Sequence, residues 1–205
     1  MKVLVISSHP DDFEFGCGGT IIKLVKKKAK IYVLVMTKGE VGGSAKVREK
    51  EQKKVCKYLN AELFWGNYKD TKISLDKNLI DTIEEVINKV KPDLIFTHYY
   101  KDTHQDHRNV AEATITATRY IRNVLFYETP SSIDFSPTVF VDIGDVLKEK
   151  LYLLKLHKSQ VYATKVKKLS ILESAVSTAI YRGYQDRVKY AEGFVPLRLA
   201  LDYIL

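Results

Sequence analysis

Cysteine is scarce in this chain of 205 residues: there are two, Cys17 and Cys56, with no metal-type spacing between them. That excludes a disulfide framework and favours a reducing compartment, so a cytoplasmic location is expected. Long apolar runs are missing too. Nothing approaches the roughly 20 residues of a membrane-spanning helix. The polar trio Ser7, Ser8 and His9 arrives too early for a signal-peptide core. Internal repeats, low-complexity tracts and linker-like stretches are also absent, and a single domain over 1–205 is the expectation.

Acidic residues are outnumbered, 25 against 33 lysines and arginines, for a formal charge of +8. Such an excess raises the question of a nucleic-acid partner. However, the basic runs 26–28 and 165–168 have no interleaved aromatics and no recognisable binding motif. A solvated lysine-rich surface is the better reading, and no nucleic-acid partner is expected. A dinucleotide fingerprint is missing as well. Gly16-Cys17-Gly18-Gly19 fits neither the GxGxxG nor the P-loop pattern, which weakens a metal-free nucleotide-binding module without removing it as a rival. The glycines read more simply as close packing behind the preceding turn.

What the chain does have is a regular alternation of elements. Apolar strands are expected at 1–8, 30–37, 62–65, 93–98, 124–127 and 138–142, and helices at 20–28, 45–59, 74–91 and 108–121. Asp142 is expected to cap a helix over 143–157, with a further helix in 166–184 and a loop or short strand at 190–195. Strands alternating with helices imply βαβ units, an α/β class and a mostly parallel sheet flanked by helices.

Four of the five histidines fall in two polar clusters, each at or just after an expected buried strand. The first is His9-Pro10-Asp11-Asp12 and the second runs from His98 to His107, ending His104-Gln105-Asp106-His107. In a parallel sheet the carboxyl ends of strands share one edge, so two such clusters converge if their strands are neighbours. His9, Asp12 and His107 together supply two imidazoles and a carboxylate with a coordination position left open. That donor set suits a catalytic zinc (Zn2+) and also ferrous iron (Fe2+). Asp11, beside a ligand but not needed as one, is placed to accept a proton from water. His104 can stabilise an oxyanion or protonate a leaving amine, and Asp106 can orient a histidine. Taken singly, each cluster also reads as a polar turn or a capped helix start, with Asp106 as the cap. His98 reads as a strand-end structural residue and His157 as a cation at a helix C-terminus.

These motifs resemble the LmbE-like or PIG-L-like N-acetylglucosaminyl de-N-acetylase family. The matching residues are His9-Pro10-Asp11-Asp12, Glu14, Gly16-Cys17-Gly18-Gly19-Thr20 and His104-Gln105-Asp106-His107. Weaker echoes are Gly39-Glu40, Arg48 with Glu51, Val141-Asp142-Ile143, and His157 with Ser159-Gln160. Phe13 and Gln105 depart from commoner family residues without removing a ligand or base. The resemblance implies a Rossmann-like three-layer fold and a zinc-dependent N-deacetylase acting on a small amino-sugar substrate. It implies His9, Asp12 and His107 as metal ligands, Asp11 as general base, His104 as electrophilic or acid partner supported by Asp106, and Arg48 as a substrate contact. It also implies a homo-oligomer. Another metal-dependent amidohydrolase on the same scaffold is the nearest alternative.

Overall fold

The computed structural model describes residues 1–200. The elements are β1 (Lys2–Ser7), α1 (Asp12–Lys26), β2 (Lys30–Val35), α2 (Ala45–Tyr58), β3 (Glu62–Trp65), α3 (Lys77–Val90) and β4 (Leu94–His98). They continue with α4 (Gln105–Ala117), β5 (Val124–Tyr127), β6 (Val139–Asp142), α5 (Leu147–Leu156), α6 (Ile171–Asp186) and β7 (Ala191–Arg198). Seven strands form one sheet in the order β3-β2-β1-β4-β5-β7-β6. The first five strands pair in parallel, while β7 runs antiparallel to both β5 and β6.

The side chains of β1 explain the layers. Val3 and Val5 pack with Phe13, Ile21, Val55 and Leu153 on one face of the sheet. Leu4 and Ile6 pack with Leu79, Ile83 and Val110 on the other. A strand whose alternate side chains are both buried must be covered by helices on both faces. This is the three-layer α/β arrangement that the alternation of elements implies.

Chain direction across the sheet positions the site. From β1 the chain winds outward through β2 and β3, then returns to the opposite flank of β1 as β4. That reversal opens a crevice beyond the carboxyl ends of β1 and β4, where open α/β sheets hold their ligands. The first polar cluster follows β1 and the second follows β4, so both feed the same crevice.

Several boundaries differ from the sequence expectation. Helix α1 begins at Asp12 rather than residue 20, so the glycines lie within it. A Cβ on Gly16 would collide with the Tyr127 ring, and one on Gly19 would stand 2.8 Å from Ile143. These positions are glycine because neighbouring elements press against the helix backbone. Helix α4 starts at Gln105 rather than 108, because the His104 ring, and not Asp106, caps it by accepting from the Asp106 amide. Asp142 accepts from the Gly144 amide, closing a turn ahead of α5, which begins only at Leu147. Helix α6 starts at Ile171, set by a reciprocal Ser170–Glu173 capping box. The segment expected as a loop or short strand at 190–195 is the strand β7, which runs on to Arg198. Its Glu192, Gly193 and Pro196 argue against a strand, yet it forms eight residues of sheet with an irregular register at Val124 and Leu125 opposite Pro196 and Arg198.

Candidate active site

The turn after β1 is pinned from both sides. The Ser7 and Ser8 carbonyls accept from the amides of Met36 and Thr37 beyond β2. On the other flank the Ser8 amide donates to His98 Nε2 at the end of β4, at 2.8 Å. Within the turn Asp11 takes a left-handed conformation (φ 87°), which aspartate tolerates better than most residues. This reversal starts α1 at Asp12, and the acidic Asp12 and Glu14 then occupy the first helical turn, where the helix dipole favours negative charge.

His9 Nδ1, His107 Nε2 and the Asp12 carboxylate converge. The two ring nitrogens are 3.3 Å apart. Asp12 Oδ2 stands 3.4 Å from His9 Nδ1, and Asp12 Oδ1 stands 3.5 Å from His107 Nε2. Tetrahedral zinc with bonds of about 2.0–2.1 Å requires neighbouring donors roughly 3.3 Å apart. The His9–His107 edge has that length, one donor atom from each of the three residues lies within 4.8 Å of the others, and the chemistry of the donor set agrees. Asp12 meets the two histidines through different oxygens, so it reaches both edges with one carboxylate.

The opposite ring nitrogens face carboxylates. His9 Nε2 lies 2.9 Å from Asp70 Oδ1 and 3.2 Å from Asp106 Oδ2. His107 Nδ1 faces Asp102 Oδ2 at 3.2 Å. A carboxylate at one nitrogen keeps the proton there and turns the other lone pair toward a metal. A second grouping of possible donors, His9, Asp70, His104 and Asp106, overlaps the first through His9. Its carboxylates are engaged by the backbone, Asp106 by the amides of Thr71 and Ile73 and Asp70 by that of Val41, much as Asp12 Oδ2 accepts from the His9 amide at 2.7 Å.

Charge follows this geometry. Burial opposes protonation of His107, but Asp12 and Asp102 outweigh it and push its pKa up to about 9. Burial also opposes a charged His9, yet Asp106, Asp12 and Asp70 raise it. Burial works against ionised Asp12 too, but His107 above all holds its carboxyl well below the usual range. Protons thus sit where a divalent cation would replace them. His98 is different. Burial and then the charge of His107 lower it to about 4, so it is neutral, accepts from Ser8 and stacks on His107 at 4.1 Å.

His104 is half-buried at the mouth. Its Nδ1 accepts from the Asp106 amide, so the neutral ring carries its proton on Nε2 as a donor. Burial, with the charges of His9 and His107, lowers its pKa and keeps the ring neutral. Asp11 lies on the same cavity, of about 510 Å³, which His9, Asp12, Asp70, His104 and His107 also line. Burial pushes Asp11 up to about 6 against the pull of Arg48.

Arg48 reaches across from α2. It donates to the carbonyls of Gly39 (2.7 Å) and Pro10 (2.8 Å) and lies 3.4 Å from Asp11 Oδ1. Its guanidinium is spent mainly on holding the turn, although it also lines the cavity. The Asp106 carboxylate meets the His9 ring at Nε2, while its backbone amide donates to His104 Nδ1.

Behind the turn, Glu14 accepts from Gln52 at 2.9 Å and meets His157 Nε2 at 2.9 Å. His157 does end α5, as a C-terminal cation should, but it points inward and is buried. Burial opposes its charge, and Glu14 overrides this to raise its pKa. Helix α1 itself breaks at Cys17, whose φ of −142° is not helical. Glu192 of β7 caps the restarted helix, accepting from the amides of Gly19 and Thr20 at 2.8 and 2.7 Å. Lys150 closes the break from the other side, bonding Glu192 Oε1 at 2.6 Å and the Phe15 carbonyl at 2.5 Å.

Sequence reasoning brought His9, Asp11, Asp12, His104, Asp106, His107 and Arg48 to notice, and all seven meet at this crevice. It assigned no role to Asp70 or Asp102. Both lie in loops beyond the carboxyl ends of parallel strands, β3 and β4, and that position is the signal that would have found them.

An open α/β sheet with an imidazole and carboxylate cluster at its switch point defines a broad class of ligand-binding and catalytic chains. Comparison narrows it. Residues 4–118 match the family PIG-L: GlcNAc-PI de-N-acetylase, and the chain belongs to that family. An uncharacterized deacetylase, YaiS, of Escherichia coli is 36% identical over 77% of this chain and 90% of its own length. The diacetylchitobiose deacetylase of Thermococcus kodakarensis is 30% identical over 95% of this chain and 83% of its own. Among solved structures, the N,N'-diacetylchitobiose deacetylase of Pyrococcus horikoshii superposes with a TM-score of 0.83 at 26% identity, covering 96% of this chain and 83% of that one.

Proposed function

We propose that this chain is a zinc-dependent N-deacetylase that hydrolyses the acetamide of a small N-acetylglucosamine-containing molecule, releasing acetate and a free amine. The observation that carries the reading is the donor triangle of His9, Asp12 and His107, with edges of 3.3–3.5 Å, opening into the cavity that Asp11 and His104 line. Membership of the PIG-L family and the deacetylase relatives support the reaction class. The same donors accept ferrous iron.

His9, Asp12 and His107 would hold the ion. When bound, it supplies Lewis acidity and lowers the pKa of water to about 7. Asp11 accepts a proton from the attacking water and passes it to the departing amine. His104 donates from Nε2 to the oxygen that gains charge as the acetyl carbon becomes tetrahedral. Asp70 and Asp106 fix the His9 ring, Asp102 fixes that of His107, and Arg48 holds Asp11 in its left-handed turn. Within this reading the chain works in the cytoplasm on a small-molecule substrate, needs no nucleic-acid partner, and assembles as a homo-oligomer.

The test is metal content together with acetate release from a panel of N-acetylglucosaminides. Asp11→Ala is expected to keep the metal and lose about 10²–10⁴-fold in kcat. His107→Ala is expected to lose the metal. Full activity in the first variant, or unchanged stoichiometry in the second, would refute the assignments.

A further inference from the structure

A second cavity, of about 620 Å³, opens beside the first and shares Asp11, Pro130, Gln160, Ala163 and Lys165 with it. Its outer wall is apolar, formed by Val166, Leu169 and Ile171 where the chain leads into α6. Val166 is 60% exposed there, an apolar side chain left facing an open space. Asp11 and Lys165 are the charged residues of the lining, and both stand on the boundary shared with the first cavity.

The hydroxyls of this wall are already engaged inside the protein. Thr164 Oγ1 donates to the Leu169 carbonyl at 2.5 Å, and Ser174 Oγ to the Ser170 carbonyl at 3.3 Å. Thr103 Oγ1 donates to the Ser131 carbonyl at 3.3 Å, and Ser131 Oγ pairs with Thr129 Oγ1 at 3.0 Å. Among the described residues no aromatic ring lines the cavity to stack on a pyranose face. Away from Asp11, Gln160 and Lys165 on the shared boundary, the lining offers mainly hydrocarbon surface, in a space within the usual volume range of small-molecule sites.

We infer that this cavity receives a hydrocarbon aglycone carried on C1 of the amino sugar, so that the substrates are apolar N-acetylglucosaminides. The inference rests on the deacetylase reading for its orientation. The acetamide sits on C2, one bond from C1, so a substituent on C1 leaves the sugar close to the reacting amide. The two cavities meet at Asp11, the proposed base, which matches that chemistry.

The experiment compares octyl, methyl and free N-acetylglucosamine, both anomers of each glycoside, with N,N'-diacetylchitobiose. It reads acetate release by zinc-loaded enzyme and, separately, binding by calorimetry. The octyl glycoside is expected to bind about tenfold or more tighter than the methyl glycoside, since several methylenes leave water. Val166→Asp, at an exposed position that threatens no fold, is expected to reduce that octyl-to-methyl ratio to about one, and Ile171→Ser, on the same apolar wall, to reduce it as well. Equal binding of octyl and methyl glycosides overturns the inference. So does an octyl preference that survives both substitutions, or a chitobiose preference that Val166→Asp abolishes, which would make the cavity a second sugar site. Octyl binding that responds to Val166→Asp without acetate release from any substrate would uphold the cavity's role and refute the deacetylase reading.

Discussion

Replacing Asp102 with asparagine should turn a metal-binding histidine the wrong way round. Asp102 is 2% exposed and its two oxygens do different work. Oδ1 accepts from the His104 amide at 2.8 Å. Oδ2 accepts from Thr129 Oγ1 at 2.8 Å and Ser132 Oγ at 3.2 Å and faces His107 Nδ1 at 3.2 Å. A backbone amide can only donate, so the asparagine carbonyl must take the Oδ1 place. The hydroxyls of Thr129 and Ser132 can rotate to accept, and the new NH2 then points at His107 Nδ1. Two donors cannot share that contact. The imidazole proton moves to Nε2, the atom that stands 3.3 Å from His9 Nδ1 in the donor triangle. Metal affinity should fall by about 10–100-fold, or roughly 1.4–2.7 kcal/mol. Competition with a chromogenic chelator measures the affinity, and nitrogen-15 NMR of the imidazole reads the tautomer. Wild-type affinity in a variant whose His107 still carries its proton on Nδ1 would refute the reasoning.

Turnover should depend on pH through Asp11, because only its carboxylate accepts a proton. With its pKa near 6 in the metal-free chain, activity falls as pH drops through that value. A nearby cation lowers it further, so the acid limb of the kcat/KM profile belongs at or below about 6, and a limb above pH 7 would point to another base. Lys150→Ala should leave Glu192 buried and uncompensated, at a cost of about 3–5 kcal/mol. The expected fall in Tm is roughly 6–20 °C for a chain of this size. The double variant Lys150→Met with Glu192→Gln should recover part of it, and calorimetry on the three proteins decides the matter.

The sequence carried the parallel part of the sheet well, because β1, β2, β4 and β5 are apolar runs bounded by turn residues. It carried the convergence of His9, Asp12 and His107 for the same reason, since parallel strands align their carboxyl ends. It failed where a residue's partner is remote. Glu192 sits in a segment whose glycine and proline argue against a strand, and its partners Gly19 and Thr20 lie 173 and 172 positions away. Asp70 and Asp102 are ordinary loop aspartates until the fold sets a histidine ring beside each. His157 shows both sides of the problem. Its place at the end of α5 was legible, while its inward turn onto Glu14 depends on an element more than a hundred residues earlier.

The grip of Glu192 on the broken first helix has a consequence for how the protein is made. During synthesis the turn carrying His9, Asp11 and Asp12 leaves the ribosome long before the acceptor for the Gly19 and Thr20 amides, which arrives only with β7. Strand β6 must also wait, because β7 lies between it and β5. Until then the helix restart has no cap, and the nascent turn is held chiefly by its ties to β2 and β4. A chain stopped before Ala191 would retain every proposed metal ligand and lack the clamp behind them. A turn made early in this sequence is therefore fastened from behind only by a strand made much later.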